Sequence, residues 1–332
     1  MNHLKSKILI SALFSGLALT TYADINVVAS VKPVHSLVSG VMEGAGKPDL
    51  IVQGSASPHT YSLKPSQAQQ LEDADLVFWM GHELESFLEK PLEAIATSAH
   101  VVELIDSSNL KKIKMREGGM FDAHAHDEHE GHDDHDEHEG HDDHDEHEGH
   151  DDHHDHGHGE FDIHVWLDPE NAKVLVNEIK LALIEKDPSN ASIYEANSKK
   201  INLKLDQLID EVSAKLESEK GKGYVVFHDA YQYFEERFGM SAVGSITVSP
   251  EVVPGANRIR ELKEKIVDLN ATCVFSEPQF EPKLVSTVIE GTQANTGVLD
   301  PLGASIKDGP ELYFTLIRNM ANSLQDCLSK KS

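Results

Sequence analysis

Short apolar segments alternate with helical ones in the first part of the chain. The β-like segments are INVVASV, DLIVQG, ADLVFWMG and HVVELI, which begin at Ile25, Asp49, Ala74 and His100. Apolar residues at helical spacing lie between them, in 33–41 and again after Pro65. Strands separated by helices are typical of a parallel sheet with crossover connections. We therefore predict an α/β lobe here.

The same alternation returns after Gly223. The segments YVVFHD, SAVGSITVS, ATCVFSEPQ and TGVLDPLG are β-like, and the helical segment NRIRELKEKIVDL lies among them. A chain of 332 residues is long enough for two domains with separate cores. The predicted fold class is α/β with two lobes, each a mainly parallel sheet flanked by helices.

One long helical pattern lies between the two lobes. From about Pro188 to Glu217 apolar residues recur at helical spacing, and no glycine interrupts them before Gly221. Asp187 would cap this helix, which at about 1.5 Å per residue would be a rod of roughly 45 Å. We predict a rigid linking helix at 187–220 between a lobe at 24–186 and a lobe at 221–332.

The first 23 residues have the pattern of an export signal. Lys5 and Lys7 precede an apolar run at 8–19, and small residues follow near Ala23. This order is typical of a cleaved signal peptide. No later segment approaches the roughly 20 apolar residues that a membrane span requires. We expect cleavage of 1–23, a periplasmic protein and no transmembrane segment in the mature chain.

Residues 122–159 differ in composition from the rest of the chain, and we call them the histidine-rich tract. The unit HDEHEGHDD occurs three times in succession from His126 to Asp152. The tract has 17 acidic residues and no lysine or arginine, so the remainder carries −11 of the formal charge of −28. With almost no apolar side chains it cannot offset the entropy of ordering, and we predict a disordered loop of the first lobe.

The composition of the tract indicates cation binding. Negative charge disfavours nucleic acid and anionic membranes as partners. Histidine recurs at every third position of the repeat with carboxylates between, and imidazole suits borderline cations such as Zn²⁺. Many equivalent sets of ligands are available, so we expect several weakly held ions without a unique geometry. An inert polar linker is the alternative.

Four further side chains are candidate ligands of a single site. His59 follows one predicted strand, His228 ends another, Asp300 closes a third, and His164 follows the tract. Ligands of open α/β sheets bind outside the carboxyl ends of strands. Any one of these histidines alone would more often be a hydrogen-bonded loop residue. Three other histidines are expected to be structural, with the first as a reserve candidate: His35, His82 and His100.

Several motifs occur in an order that resembles one family. They are SVKPVHSLVSG, SPHTYSLKPSQ, ADLVFWMGHELE, HVWLDPENA, GYVVFHDAYQYFEERFG, SEPQF and LDPLG, with the histidine and acid rich insertion before the fourth. This order is similar to that of the zinc-binding, ZnuA-type solute-binding proteins of bacterial ABC transporters. The resemblance covers essentially the whole mature chain.

The resemblance implies a metal held between two lobes by His59, His164 and His228, and delivered to a permease in the inner membrane. Manganese-binding relatives typically have glutamate where this chain has His228, so the third histidine favours one tightly bound Zn²⁺, as does the preference of zinc for imidazole. Zinc-specific relatives often have glutamate where this chain has Pro58. We therefore expect water as the fourth ligand, with Asp300 as a tentative alternative. We also expect a monomer.

The only two cysteines are Cys273 and Cys327. In an oxidising compartment two lone cysteines pair more often than they stay free, although two buried thiols are an alternative. The resemblance implies that these two form a disulfide.

Two other functions are compatible with three histidines and water. A zinc hydrolase is one, but the HExxH, PCxxC, P-loop and GxSxG motifs are absent from the sequence. A periplasmic zinc buffer or chaperone, in which the tract is the functional element, is the other. Zinc capture for import, by a protein that is not an enzyme, is the preferred hypothesis.

Deletion of 122–159 separates the tract from the predicted central site. We expect titration calorimetry to show that one tight zinc site remains and that the weaker sites disappear. Loss of the tight site on deletion would instead make the tract the binding centre.

Overall fold

The N-terminal sheet has four parallel strands. The computed structural model describes residues 25–116, 121, 160–247, 255–268, 271–281 and 283–330. In chain order its first elements are β1 (Val27–Ala29), α1 (Lys32–Val41), β2 (Asp49–Leu50), α2 (Pro65–Glu72), β3 (Leu76–Trp79), α3 (Ser86–Ala94) and β4 (His100–Glu103). The strand order is β2-β1-β3-β4. The predictions of a signal peptide at 1–23 and of a disordered tract at 122–159 lie outside the described residues.

Two helices follow the tract. Helix α4 (Pro169–Lys186) begins with proline at its first position, and the Asp168 carboxylate accepts a hydrogen bond from Glu170 N at 2.9 Å. Helix α5 (Ala191–Leu216) has 26 residues, which corresponds to about 39 Å. Short 3₁₀ turns at Pro188–Asn190 and Glu217–Glu219 extend it at both ends.

Asp187 lies at the N-cap position that the sequence predicted, directly before Pro188. It caps a 3₁₀ turn, Pro188–Asn190, which precedes the α-helix. The Asp187 carboxylate accepts hydrogen bonds from the Ser189 hydroxyl, the Asn190 side chain at 2.6 Å and the Tyr194 hydroxyl at 2.7 Å. These side-chain donors, which the sequence pattern did not predict, hold the carboxylate at the start of the helical region.

The C-terminal sheet repeats the topology of the first. Its elements are β5 (Tyr224–His228), α6 (Gln232–Phe238), β6 (Gly244–Thr247), α7 (Ala256–Asp268), β7 (Cys273–Ser276), α8 (Lys283–Ile289), β8 (Asn295–Val298) and α9 (Leu312–Leu328). The strands are parallel in the order β6-β5-β7-β8. Two parallel-sheet lobes with a long connecting helix confirm the predicted fold class. Among the described helices, none is both long and apolar enough to cross a membrane.

One hydrophobic core joins the two lobes. The apolar side of α5 packs on α1, α4 and α9, and buried residues of both sheets belong to the same cluster. A second, smaller cluster covers the other face of the C-terminal sheet, beneath α7 and α8. Because the lobes share buried apolar surface, a wide separation of them would expose that surface to water.

A disulfide connects β7 to the last helix. Cys273 and Cys327 are bonded, with their Cα atoms 6.1 Å apart and both residues buried. The expectation of a cysteine pair is met. The bond closes a loop across 54 positions of the chain and holds α9 against the sheet.

Removal of this disulfide should lower the free energy of unfolding. The chain-entropy relation for a loop of this length gives about 4 kcal/mol. We expect the Cys273→Ala, Cys327→Ala double variant to lose roughly 2 to 4 kcal/mol in urea denaturation at neutral pH. A loss below about 1 kcal/mol would show that the disulfide adds little to the packing of α9.

Candidate metal centre

His228 lies at the carboxyl end of β5, where the sequence analysis placed it. In the sheet it is paired with Thr247 of β6, and it is buried. Its ring lies 6.1 Å from that of Phe280 and 6.3 Å from that of Tyr231, measured between centroids. The aromatic neighbours restrict the orientation of this imidazole.

His59 lies in a short 3₁₀ turn that follows β2. Backbone hydrogen bonds from Ile51 N to Ala29 O and from Val52 N to Ser30 O continue the pairing with β1 for two residues beyond the end of β2. The turn Pro58–Thr60 begins with proline, whose fixed φ suits the first helical position. His59 is the more exposed member of the candidate set.

His164 is not associated with the end of a strand, whereas His228 ends β5 and His59 lies in the loop after β2. It immediately precedes a 3₁₀ turn at Val165–Leu167. Trp166 Nε1 donates to Pro301 O at 2.9 Å, and the Tyr313 hydroxyl donates to Trp166 O at 2.6 Å. The segment that carries His164 is therefore held by buried contacts with the C-terminal part of the chain.

The structure brings the three histidines together. One nitrogen of each of His59, His164 and His228 lies within 4.8 Å of the others. His164 Nε2 and His228 Nε2 are 3.4 Å apart. Two nitrogens bound at about 2.05 Å to one tetrahedral Zn²⁺ would be about 3.3 Å apart. The spacing of this pair fits a single ion, and the binding of zinc by the three histidines remains a prediction.

A buried carboxylate lies behind each of two imidazoles. His164 Nδ1 is 2.7 Å from Asp162 Oδ1, and His228 Nδ1 is 2.7 Å from Glu277 Oε1. Each carboxylate accepts a hydrogen bond from the Nδ1–H group. The proton of the neutral ring therefore stays on Nδ1, and the Nε2 lone pair is free for a metal. Asp162 and Glu277 thus determine the tautomer of both histidines.

Neither carboxylate was predicted from the sequence as a functional residue. Glu277 directly follows β7, so the rule that placed His228 and Asp300 at strand ends could have found it. Asp162 lies two positions before His164, and neither strand nor helix periodicity marks it.

The electrostatic environments of His59 and His228 are opposite. Burial lowers the pKa of His59, and the neighbouring His164 and His228 act in the same direction, so that it is about 2. Burial alone would also lower the pKa of His228, but Glu277 raises it above its ordinary value. His59 is therefore a neutral imidazole at any physiological pH, whereas His228 holds a proton more readily than an ordinary histidine.

The structure does not bring Asp300 into the group of histidines. Its Oδ1 accepts hydrogen bonds from Leu302 N at 3.1 Å, Gly303 N at 2.9 Å and the Gln279 side chain at 3.0 Å. Its Oδ2 accepts from Ala304 N at 2.6 Å. Both oxygens thus stabilise the loop after β8.

The three histidines that were expected to be structural, including the reserve candidate His35, also lie outside this group. His35 is buried in α1, and its Nε2 is 3.1 Å from Pro48 O. His82 Nδ1 lies 3.1 Å from Glu89 on the surface, and His100 begins β4.

The space between the three rings is small. The cavity has a volume of about 10 Å³ and is lined by the three histidines and by residues that include Pro58, Leu84 and Glu277. A volume near 10 to 15 Å³ holds about one water-sized body. Such a site is large enough for an ion and is small for an organic substrate.

Solved structures of metal-binding proteins share the fold. A zinc-bound deletion mutant of ZnuA aligns with a TM-score of 0.72 at 21% identity, over 93% of this chain and 100% of that one. The periplasmic zinc binding protein TroA from Treponema pallidum aligns with a TM-score of 0.72 at 18% identity and the same coverage. The fold is that of two-lobed periplasmic metal-binding proteins.

The sequence defines the family more closely. Residues 27–327 match the family described as zinc-uptake complex component A, periplasmic. The high-affinity zinc uptake system protein ZnuA of Brucella suis biovar 1 is 56% identical over 334 residues, which cover 99% of this chain and 100% of that protein. Its counterpart in Yersinia pestis is 36% identical over 306 residues, 92% of each chain. The chain belongs to the ZnuA family, a family of periplasmic solute-binding proteins and not of enzymes.

A buried carboxyl group supports the loop that carries Leu84 to the cavity. Glu85 is fully buried, and its Oε2 accepts hydrogen bonds from Met80 N at 2.9 Å and Gly81 N at 3.0 Å. Burial raises the pKa of Glu85 to about 7, and nearby Glu103 acts in the same direction. The folded protein therefore favours the protonated form of Glu85.

This pKa predicts that stability depends on pH. Because the folded-state pKa exceeds the unfolded value near 4.5, the stabilisation is complete below pH 4.5 and is lost as pH rises through 7. The loss approaches roughly 3 kcal/mol at pH 8. We expect Glu85→Gln to remove this part of the pH dependence, measured on metal-free protein by urea denaturation at pH 5 and pH 8.

The control is Glu93→Gln, at an exposed position of α3, the helix that directly follows Glu85. It should retain the pH dependence of the wild type. An equal change in stability between pH 5 and pH 8 in the wild type and in Glu85→Gln would contradict the assignment.

Proposed function

We propose that this protein captures Zn²⁺ in the periplasm with His59, His164 and His228 and delivers it to the permease of an ABC importer. In this proposal the lobe at 24–186 supplies two ligands, the lobe at 221–332 supplies the third, and the helix at 187–220 connects them. The ion is the cargo, and one tight site per monomer holds it.

The observation that supports this proposal most strongly is the pair of imidazoles from opposite lobes. Their Nε2 atoms are 3.4 Å apart, and the Nδ1 atoms of both lie within 2.7 Å of carboxylates. Two lone pairs at this distance repel each other unless a cation lies between them. A divalent metal bound there also links the lobes.

Zinc is the metal that this ligand set favours. Three imidazoles and one open position are typical of Zn²⁺, whereas Mn²⁺ prefers carboxylate and water oxygens. Asp162 and Glu277 contact the imidazoles through Nδ1, so they tune the ligands without being ligands.

We propose water as the fourth ligand. Pro58 has no side-chain donor, and both oxygens of Asp300 accept hydrogen bonds from the loop after β8. A metal could recruit Asp300 only after these bonds were broken.

The family implies a periplasmic location and a permease as partner. Cleavage of residues 1–23 would release the protein from the membrane. We further propose that the tract at 122–159 collects zinc weakly and raises its local concentration near the tight site when the metal is scarce.

The alternative functions find less support. A hydrolase needs room for a substrate beside the metal-bound water, and the cavity of about 10 Å³ is small for that purpose. A zinc buffer built on the tract would not need three imidazoles arranged around one point.

Replacement of all three histidines by alanine, in protein that lacks 122–159, should abolish tight zinc binding. Loss of ligands from one ion should weaken the affinity by well over about 100-fold, since loss of outer partners alone costs about 10- to 100-fold. The measurement is a competition titration against a chromophoric zinc chelator.

The matched control is His82→Gln, which alters a surface histidine outside the group. It should bind zinc as the parent does. In cells that lack their own uptake protein, the intact chain should restore growth at limiting zinc and the triple variant should not. Unchanged affinity in the triple variant would refute the proposal, and tract-deleted protein that supports growth as well as the intact chain would refute the role of the tract.

A further inference from the structure

Helix α6 contacts the segments at both ends of the histidine-rich tract. It begins four positions after His228 and carries Tyr233, which is buried. The Tyr233 hydroxyl accepts a hydrogen bond from Ile113 N at 3.0 Å and donates one to Asp162 O at 2.7 Å. One phenol therefore binds the backbone before the tract and the backbone after it.

These two segments also bind each other. Asp162 N donates to Ile113 O at 2.8 Å, and Met115 N donates to Glu160 O at 3.1 Å. Lys114 and Phe161 form an antiparallel bridge between them. Tyr233 thus holds one end of a short ladder against α6.

Asp162 is the residue that connects this ladder to the metal centre. Its Oδ1 accepts hydrogen bonds from His164 Nδ1 at 2.7 Å and from His164 N at 2.9 Å. Its Oδ2 accepts a hydrogen bond of 3.3 Å from the side-chain Nε2 of Gln232, the first residue of α6. The position of the His164 ring therefore depends on Asp162, and that of Asp162 depends on α6.

A second contact secures the same region. Arg116 donates to the carboxylates of Asp229 and Glu235, the latter at 2.8 Å. Asp229 directly follows His228 in the sequence. The segment that carries His228 is thus bound to the segment before the tract, which in turn pairs with the segment that carries Asp162 and His164.

We propose that Tyr233 is a positioning residue of the metal centre, which acts on His164 through the main chain of Asp162. This inference rests on the proposed function, because it concerns the same zinc site. Ligand nitrogens must be placed to within about 0.2 Å for a metal. Without the hydroxyl, Ile113 N and Asp162 O lose a buried partner, and Asp162 is free to shift relative to His228.

The test is Tyr233→Phe in the full-length protein. The substitution keeps the ring and removes the two hydrogen bonds. We expect zinc affinity at the tight site, measured by chelator competition, to fall about 10- to 100-fold, the usual effect of losing a partner behind a ligand. The d–d spectrum with one equivalent of Co²⁺, which reports ligand geometry, should change as well.

Tyr194→Phe is the matched control. It removes the hydroxyl of another fully buried tyrosine, which donates to Asp187 at 2.7 Å in the linking region. We expect a loss of stability, with zinc affinity and the Co²⁺ spectrum unchanged. A purely structural effect of losing a buried hydroxyl would alter both variants alike.

A double-mutant cycle tests the route through Asp162. In an Asp162→Ala background, which removes the acceptor for His164, Tyr233→Phe should weaken zinc binding by less than about two-fold further, because the connection is already lost. Additive effects, or wild-type affinity in Tyr233→Phe, would overturn the inference and leave the proposed function intact. Failure of the wild-type protein to bind zinc tightly would overturn both.

Discussion

Two imidazoles, those of His164 and His228, face each other across 3.4 Å, each with a buried carboxylate behind it. Asp162 and Glu277 accept hydrogen bonds from the Nδ1–H groups, so the facing Nε2 atoms present lone pairs to the same point. Only a cation between them relieves the repulsion. A proton satisfies this requirement in part, consistent with the raised pKa of His228, and a divalent metal satisfies it fully.

The architecture keeps this pair of rings close together. The lobes share one hydrophobic core around α5, and contacts such as that of Trp166 with Pro301 join them next to the site. A wide clamshell opening would expose buried apolar surface at both places. Release of an ion is therefore expected to involve small shifts of loops, and the segments joined by Tyr233 and Arg116 lie where such shifts would act on His164.

Local sequence patterns predicted the fold well. Eight β-like segments correspond to the eight strands found among the described residues, and β1, β3 and β5 are buried along their whole length, as expected of parallel strands that are covered on both faces. Asp187 lies at the predicted cap position of the linking helix, but the helical region begins with a 3₁₀ turn, across which Asp187 binds side chains. That turn depends on local geometry which periodicity does not encode.

The sequence by itself determined two α/β lobes, the linking helix and the three histidines as candidates, since each can be recognised from residues adjacent in the chain. Tertiary structure decided which carboxylates support the imidazoles, that Asp300 binds its own loop, and that Tyr233 lies against Asp162. His228 and Glu277 are 49 positions apart, and Tyr233 and Asp162 are 71 apart. Contacts over such separations arise only when the sheets have formed and packed, which is why the surroundings of the site could not be predicted from the sequence alone.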